Sequence, residues 1–111
     1  MMNTRSKGDY FEKKAVEFLK ERGFELVETN YYAKKLGEID IIVKKDDVYH
    51  FVEVKSGHDF EAVYNITPSK LAKLIRSVQF YLKEKALDTA FCIDAVIFSA
   101  EELEYLENIT L

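Results

Sequence analysis

The sequence is poor in the residues that cross-link or interrupt a chain. Its 111 residues include one cysteine, one proline, four glycines and no tryptophan. The lone cysteine, Cys92, lies in an apolar run and cannot form an intramolecular disulfide, so we expect a reducing, cytoplasmic location. No basic start precedes an apolar run, and no segment approaches the ~18 uninterrupted apolar residues of a membrane helix. We therefore expect neither a signal peptide nor a membrane span.

Size and charge place further bounds on the protein. With 48% hydrophobic residues, the 111-residue chain is expected to form one domain over residues 1–111, with a single core. The net charge is −4, but residues 86–111 carry six acids and no lysine or arginine, which leaves 16 basic and 14 acidic groups in residues 1–85. Residues 1–85 are therefore slightly basic although the whole chain is acidic, so the net charge does not exclude a polyanionic partner. The acidic C-terminal segment 101–111 is predicted to be a short helix or an edge strand.

The most informative stretch is residues 37–57, which read GEIDIIVKKDDVYHFVEVKSG. Two runs rich in β-branched and aromatic residues, Ile39–Val43 and Val48–Val54, flank a polar tetrapeptide, which is typical of a β-hairpin. We predict that the hairpin turns at Asp46-Asp47 and pairs Lys45 with Val48.

Extending this register outward places Asp40 opposite Glu53 and Glu38 opposite Lys55. Opposed carboxylates lie about 5 Å apart and repel by about 3 kcal/mol at an effective dielectric constant of about 20. A raised pKa on one acid, the Lys55 ammonium or a divalent metal would each offset that repulsion.

The alternation of side chains along each strand predicts that the hairpin has one charged face and one core face. The charged face holds Glu38, Asp40, Ile42, Phe51, Glu53 and Lys55; the core face holds Ile39, Ile41, Val43, Val52 and Val54.

Helical periodicity appears on both sides of the hairpin. Helix one is predicted between a capping box at Ser6 and a stop at Gly23, with Glu12 at the edge of its buried stripe. Helix two is predicted to start with Thr67 as N-cap and Pro68 in its first turn. Its buried stripe comprises Leu71, Leu74, Ile75, Val78 and Leu82, and one flank carries Lys70, Lys73 and Ser77.

Strands complete the predicted order. We predict one strand over Phe24–Tyr32 and another over Phe91–Phe98, the latter containing Asp94 as a structural residue. Helix, strand, hairpin, helix and strand then follow one another, which indicates a layered α/β domain. Of the two histidines, His50 is expected to be structural, and His58, in a stretch without periodicity, is more often a solvated residue than a ligand or proton carrier.

Asp40 followed by Glu53-Val54-Lys55 on the next strand resembles the D…(D/E)xK signature of the restriction-endonuclease-like superfamily. The wider pattern is similar to the YraN-like bacterial proteins, a branch labelled as uncharacterised or endonuclease-like and related to the archaeal Holliday junction resolvases. It comprises Gly8 and Glu12 in helix one, Asn30, GEID at Gly37–Asp40, FVEVKSG at Phe51–Gly57, Lys70 and IDAVIF at Ile93–Phe98.

The resemblance implies a three-layer domain in which helices flank a central mixed sheet, with an αβββαβ core. It also implies a nuclease that uses Mg²⁺ or Mn²⁺ to hydrolyse phosphodiester bonds in DNA, with branched or junction DNA among the candidate substrates. Asp40, Glu53, Glu12 and the backbone carbonyl of Val54 would hold the metal. The resemblance further implies that Lys55 is a catalytic lysine and that Lys70 and Lys73 contact nucleic acid. Glu38 would support Lys55 by keeping it charged and oriented.

Two other functions stay open at this point. A nuclease-like fold can grip nucleic acid without cutting it, and such a module would keep its affinity in chelator. The domain could also be a protein-interaction partner that acts through its acidic tail, with the hairpin charges as a surface ion cluster. Glu12 has an alternative too, as a solvated helix residue. Cleavage of junction DNA would suggest a symmetric homodimer.

Overall fold

The extended runs form one five-stranded sheet between two helices. The structure, a computed structural model, describes residues 4–57, 66–100 and 102–110. The helices are α1 (Thr4–Glu21) and α2 (Pro68–Glu84); the strands are β1 (Glu25–Tyr32), β2 (Glu38–Lys45), β3 (Val48–Gly57), β4 (Phe91–Ser99) and β5 (Glu102–Leu106). The predicted order is confirmed, and the acidic tail supplies an edge strand.

The sheet is mixed, with the strand order β1-β2-β3-β4-β5. Among the strands of the described residues, β3 and β4 are the one parallel pair, because α2 carries the chain from one end of the sheet back to the other. Helix α1 packs Ala15 and Leu19 on one face, and α2 packs Val78 and Tyr81 on the other. The predicted three-layer α/β architecture is therefore confirmed. Neither described helix is long and apolar enough to cross a membrane.

The hairpin register is confirmed, but the prediction of a single core face is wrong. Five pairs run from Lys45–Val48 to Ile41–Val52, as predicted. Ile42 and Phe51, assigned to the charged face, are fully buried beneath α2. The middle of the hairpin is therefore buried on both sides, and charge on that face is confined to the two ends of the hairpin, with Lys44 at the closed end.

Ile39 is also on the other face from the one predicted. It packs with Tyr31 on the α2 side, whereas Ile41 packs on the α1 side. The alternation of faces reverses between the pairs Thr29–Ile41 and Tyr31–Ile39. Asn30 lies at this reversal and has a φ of 53°, a left-handed conformation that is uncommon within a strand.

The helix termini follow the predictions in part. The Oγ1 of Thr67 accepts a hydrogen bond from the N–H of Lys70 at 3.2 Å, which confirms the N-cap of α2. Helix α1, in contrast, begins at Thr4, so the predicted cap at Ser6 is wrong. Ser77 is buried rather than on an exposed flank, because its hydroxyl donates to the Lys73 carbonyl at 3.1 Å and needs no water.

Asp94 links the three C-terminal elements of the sheet. Its side chain is fully buried, and its Oδ2 lies 2.6 Å from His50 Nδ1 and accepts a hydrogen bond from the Tyr105 hydroxyl at 2.6 Å. Its Oδ1 accepts from the backbone N–H of Asn108 at 2.8 Å. A buried carboxylate must have such partners, so the network agrees with the structural role predicted for Asp94, and His50 is buried, as its core-facing position predicted.

The hairpin turn generates a first prediction. Asp46 and Asp47 have φ values of 51° and 63°, the type I′ geometry in which glycine is favoured at the second position. Asp47→Gly should raise the free energy of unfolding by about 1 kcal/mol, because glycine adopts the left-handed region without strain. Urea denaturation measures the change. Asp88→Gly, at an exposed position without positive φ, is the control and should not stabilise; equal effects of the two substitutions would contradict this account.

Candidate carboxylate site at the open end of the hairpin

The candidate site lies where β2 and β3 stop pairing with each other. Strand β2 stays paired with β1 as far as Glu38, and β3 stays paired with β4 as far as Gly57, but the last β2–β3 pair is Ile41–Val52. Asp40 is the next residue of β2. Its Oδ2 accepts a hydrogen bond from the backbone N–H of Val54 at 2.9 Å, so a side chain replaces the missing ladder partner.

Two glutamates approach Asp40 from different elements. Glu53 is the next residue of β3 beyond the last pair, and Glu12 comes from α1 across a cavity of about 500 Å³ that Asp40 and Val54 also line. Burial, followed by the charges of Asp40, Glu38 and Asp9, raises the pKa of Glu12 to about 7. Burial and the Asp40 charge likewise raise the pKa of Glu53 to about 7, even though Lys55 opposes the shift.

Asp40 is electrostatically coupled to both glutamates. Burial raises its pKa, against the opposing effects of the Val54 N–H and the Lys55 charge. Because Asp40 and Glu53 are so close, the two groups titrate as a pair, and the pair retains a proton more readily than isolated carboxyls do. A structure that holds three carboxyls together in this way disfavours their simultaneous ionisation.

Asn30 partly relieves the repulsion. In the amide orientation that satisfies both neighbours, its nitrogen donates to Oε1 of Glu12 and to Oε1 of Glu38, each at 2.9 Å. The sequence patterns indicated Asn30 only as part of a family resemblance and missed its contact with two acids. Asn30 lies between Thr29 and Tyr31, whose β2 partners Ile41 and Ile39 flank Asp40. Pairing of β1 with β2 in this register is therefore the signal that would have placed Asn30 beside the acids.

The predicted pairing of Glu38 with Lys55 is wrong. Lys55 Nζ lies 3.2 Å from Glu53 Oε1, and Glu38 contacts the Asn30 amide instead. The physical reason is the opening of the sheet: the register that would place Glu38 opposite Lys55 ends at Ile41, and β2 continues towards β1. The ion pair thus forms along β3 rather than across the hairpin.

The basic residues of α2 line the other side of the same opening. Glu38, Glu53 and Lys55 border a smaller cavity of about 180 Å³ whose wall includes Lys70 and Lys73. The two lysine side chains are exposed and one helical turn apart. The predicted site residues therefore line two cavities that share Glu38. Glu12, Asp40 and Val54 line the larger cavity, and Glu53, Lys55, Lys70 and Lys73 line the smaller one. His58 lies outside the described residues.

The donor set suits a hard divalent cation. The side chains of Glu12, Asp40 and Glu53 offer carboxylate oxygens, which Mg²⁺ and Mn²⁺ prefer. Val54 adds a further oxygen: within a strand the N–H and C=O of one residue point to the same side, and the Val54 N–H points to Asp40. A cation at this position would replace the protons that the raised pKa values of Glu12 and Glu53 indicate.

The raised pKa of Glu12 makes stability depend on pH. Its folded-state value of about 7 exceeds the ordinary value of 4.5, so protonation favours the folded state below about pH 4.5 and the gain is lost as the pH rises through 7. In chelator at pH 8, Glu12→Gln should be more stable than the wild type by roughly 1 kcal/mol, allowing for solvent screening. Thermal unfolding at pH 5 should show this difference shrinking.

The control for this prediction is Glu104→Gln, which removes the same charge from an exposed position on β5. It should follow the pH dependence of the wild type. Parallel stability curves for Glu12→Gln and the wild type between pH 5 and pH 8 would show that Glu12 carries no raised pKa.

Comparison with known sequences places the chain among bacterial relatives. The sequence model of Uncharacterised protein family UPF0102 matches residues 11–98. A UPF0102 protein of Sulfurovum sp. (strain NBC37-1) is 53% identical over 105 residues, which cover 94% of this chain and 93% of the relative. UPF0102 proteins of Aliarcobacter butzleri (strain RM4018) and Helicobacter hepaticus (strain ATCC 51449 / 3B1) are 51% and 53% identical, and each match covers 99% of the relative and at least 97% of this chain. The chain belongs to the uncharacterised protein family UPF0102.

Proposed function

We propose that the protein is a metal-dependent nuclease that hydrolyses phosphodiester bonds in DNA. The observation that carries the proposal is the convergence of Glu12, Asp40 and Glu53 with Lys55 at the open end of one hairpin. Carboxylates that hold a cation, next to a lysine that can meet a phosphate, form the set that phosphodiester hydrolysis needs. The match of Asp40 and Glu53-Val54-Lys55 to the D…(D/E)xK signature supports membership of the restriction-endonuclease-like superfamily.

The first role in this proposal is to hold the metal ion. The ligands of Mg²⁺ or Mn²⁺ are the carboxylates of Asp40, Glu53 and Glu12 and the backbone carbonyl of Val54. A cation held by these residues would supply Lewis-acid chemistry, polarising the phosphate and lowering the pKa of an attacking water. Asp40 is already fixed by its hydrogen bond to the Val54 N–H at 2.9 Å, so one ligand is positioned before the ion arrives.

Lys55 supplies the positive charge of the site. Its ion pair with Glu53, at 3.2 Å, keeps the ammonium beside the carboxylates while 28% of the side chain remains exposed. From that position Lys55 orients the attacking water and stabilises the charge that develops on the phosphate. Glu38 acts indirectly, because it shares the Asn30 amide with Glu12 and so positions that carboxylate.

Two lysines of α2 form a basic wall of the smaller cavity, where the DNA backbone can bind. Lys70 and Lys73 line the cavity that Lys55 also borders, so phosphates on either side of the scissile bond meet positive charge there. These contacts do not depend on base identity, which suits an enzyme that recognises the shape of a duplex, flap or junction. A symmetric homodimer would suit cleavage of a four-way junction.

Substitutions on β2 and β3 test the catalytic roles. Asp40→Asn and Lys55→Ala should each lower the cleavage rate at least 100-fold, because they remove a metal ligand and the catalytic cation. Asp40→Asn should not lower the melting temperature, because the introduced amide retains an oxygen for the Val54 N–H. Lys55→Ala removes the charge that offsets Glu53, so circular dichroism checks that this variant is folded under the assay conditions. The assay follows linear, flap and junction DNA on gels with Mg²⁺ or Mn²⁺.

Asp46→Asn and Lys44→Ala are the matched controls, since they make the same changes at the closed end of the same hairpin. Both should cleave like the wild type. DNA affinity that persists in chelator, with no product in either metal, would identify a non-catalytic binding module and overturn the nuclease. If Asp40→Asn cleaved DNA at the wild-type rate, the carboxylate site would be excluded as the source of the nuclease activity.

The DNA contacts of α2 can be tested without catalysis. In chelator, Lys73→Ala should weaken DNA binding severalfold and reduce the slope of log affinity against log salt concentration by about 1, because one phosphate contact is lost. Fluorescence anisotropy at several salt concentrations measures both. Lys83→Ala, in the last turn of the same helix, is the control and should leave the slope unchanged. Identical slopes for Lys73→Ala and the wild type would remove α2 from the interface.

A further inference from the structure

A second cluster of ligand-type side chains lies at the closed end of the hairpin. A nitrogen of His50, the sulfur of Cys92 and a carboxylate oxygen of Glu107 all lie within 4.8 Å of one another. They border a cavity of about 510 Å³ that is also lined by Tyr105 and Lys45. His50 is three residues before Glu53 on β3, or about 10 Å along the strand, so the cluster is separate from the carboxylate site.

The sheet itself brings these residues together. His50 and Cys92 are partners in the parallel β3–β4 register, and therefore their side chains share one face. Glu107 follows directly after β5, whose antiparallel pairing with β4 returns the chain to the same end. None of the three residues is adjacent to another in the sequence, so no spacing motif reveals the cluster.

His50 is held in the orientation typical of a metal ligand. Its Nδ1 lies 2.6 Å from Asp94 Oδ2, which leaves Nε2 as the nitrogen free for coordination. Asp94 is itself fixed by the Tyr105 hydroxyl at 2.6 Å and by the Asn108 N–H at 2.8 Å. In metalloproteins such a carboxylate sets the tautomer and the direction of the ligating imidazole. Only 5% of the surface of His50 is exposed.

The three donors select a particular class of metal. One imidazole nitrogen, one thiolate and one carboxylate oxygen suit Zn²⁺ or a chemically similar ion, whereas Mg²⁺ takes oxygen ligands. The thiolate and the carboxylate carry two negative charges, which balance the charge of Zn²⁺. Burial and the charges of Asp94 and Glu107 raise the pKa of the Cys92 thiol, so without a cation this cysteine is not a reactive nucleophile.

We propose that His50, Cys92 and Glu107 form a zinc site distinct from the proposed nuclease site. Three protein ligands would leave a fourth, tetrahedral position for water. Glu107 is exposed and follows the last strand, so metal binding would also tie the C-terminal segment to β3 and β4. The proposal does not depend on nuclease activity, because its ligands include none of the carboxylates at Glu12, Asp40 and Glu53.

Cobalt substitution provides the most direct test. Co²⁺ bound by a thiolate gives an ultraviolet charge-transfer absorption, and the chain contains one cysteine, so that absorption can come only from Cys92. We expect the band to saturate at one equivalent of Co²⁺ and to disappear on addition of Zn²⁺. Asp40→Asn, which alters the carboxylate site, should retain the band, and Cys92→Ser should lack it. Absence of the band from the wild type would overturn the proposal.

Zinc affinity, measured by competition with a chromophoric chelator, tests the remaining roles. Cys92→Ser and Glu107→Gln should each weaken binding at least 10-fold, and Asp94→Asn should do so by about 10- to 100-fold through loss of the orienting carboxylate. Tyr105→Phe provides a milder change of the same network if Asp94→Asn does not fold, as judged by circular dichroism. Glu104→Gln, on β5, is the matched control and should bind Zn²⁺ like the wild type. Unchanged affinity in Cys92→Ser would overturn the site.

Discussion

The structure depends on one interruption: β2 and β3 pair through the middle of the sheet and separate at Asp40. The separation deprives the Val54 N–H of a backbone partner, and a buried N–H without a partner is unfavourable by about 1–3 kcal/mol. The Asp40 carboxylate accepts that hydrogen bond at 2.9 Å. The acid therefore closes the gap in the ladder and also stands at the centre of the proposed metal site, so fold and site share one interaction.

The open end of the hairpin concentrates negative charge that the fold alone does not require. Burial and mutual repulsion raise the pKa of both Glu12 and Glu53 to about 7, and the groups that stabilise the negative charge there are Lys55, the Asn30 amide and the Val54 N–H. A cluster of this kind lowers stability at neutral pH, as functional sites commonly do. The left-handed Asn30, with a φ of 53°, adds local strain at the same place.

The two sites proposed at the ends of β3 differ in their donor atoms. At the open end the donors are oxygens, with Glu53 and the Val54 carbonyl beside Asp40; at the closed end His50 meets Cys92 and Glu107. Both sets follow from the central place of β3, which pairs with β2 on one side and with β4 on the other. A strand in that position can combine its side chains with those of either neighbour, and its two ends face different elements.

Much of the fold could be predicted from the sequence by itself, because local physics determines it. Apolar periodicity defined both helices, β-branched runs defined the hairpin, and Asp46-Asp47 together with Thr67-Pro68 marked a turn and a helix start. The hairpin register placed Asp40 near Glu53, and the resemblance to the D…(D/E)xK signature is what singled out these residues and Lys55 as a candidate site. Tertiary structure decided what depends on distant partners: the second buried face, the contact of Lys55 with Glu53 rather than Glu38, and the meeting of His50 with Cys92 and Glu107. Strand divergence and helix packing set these contacts, and neither is encoded by the spacing of residues along the chain.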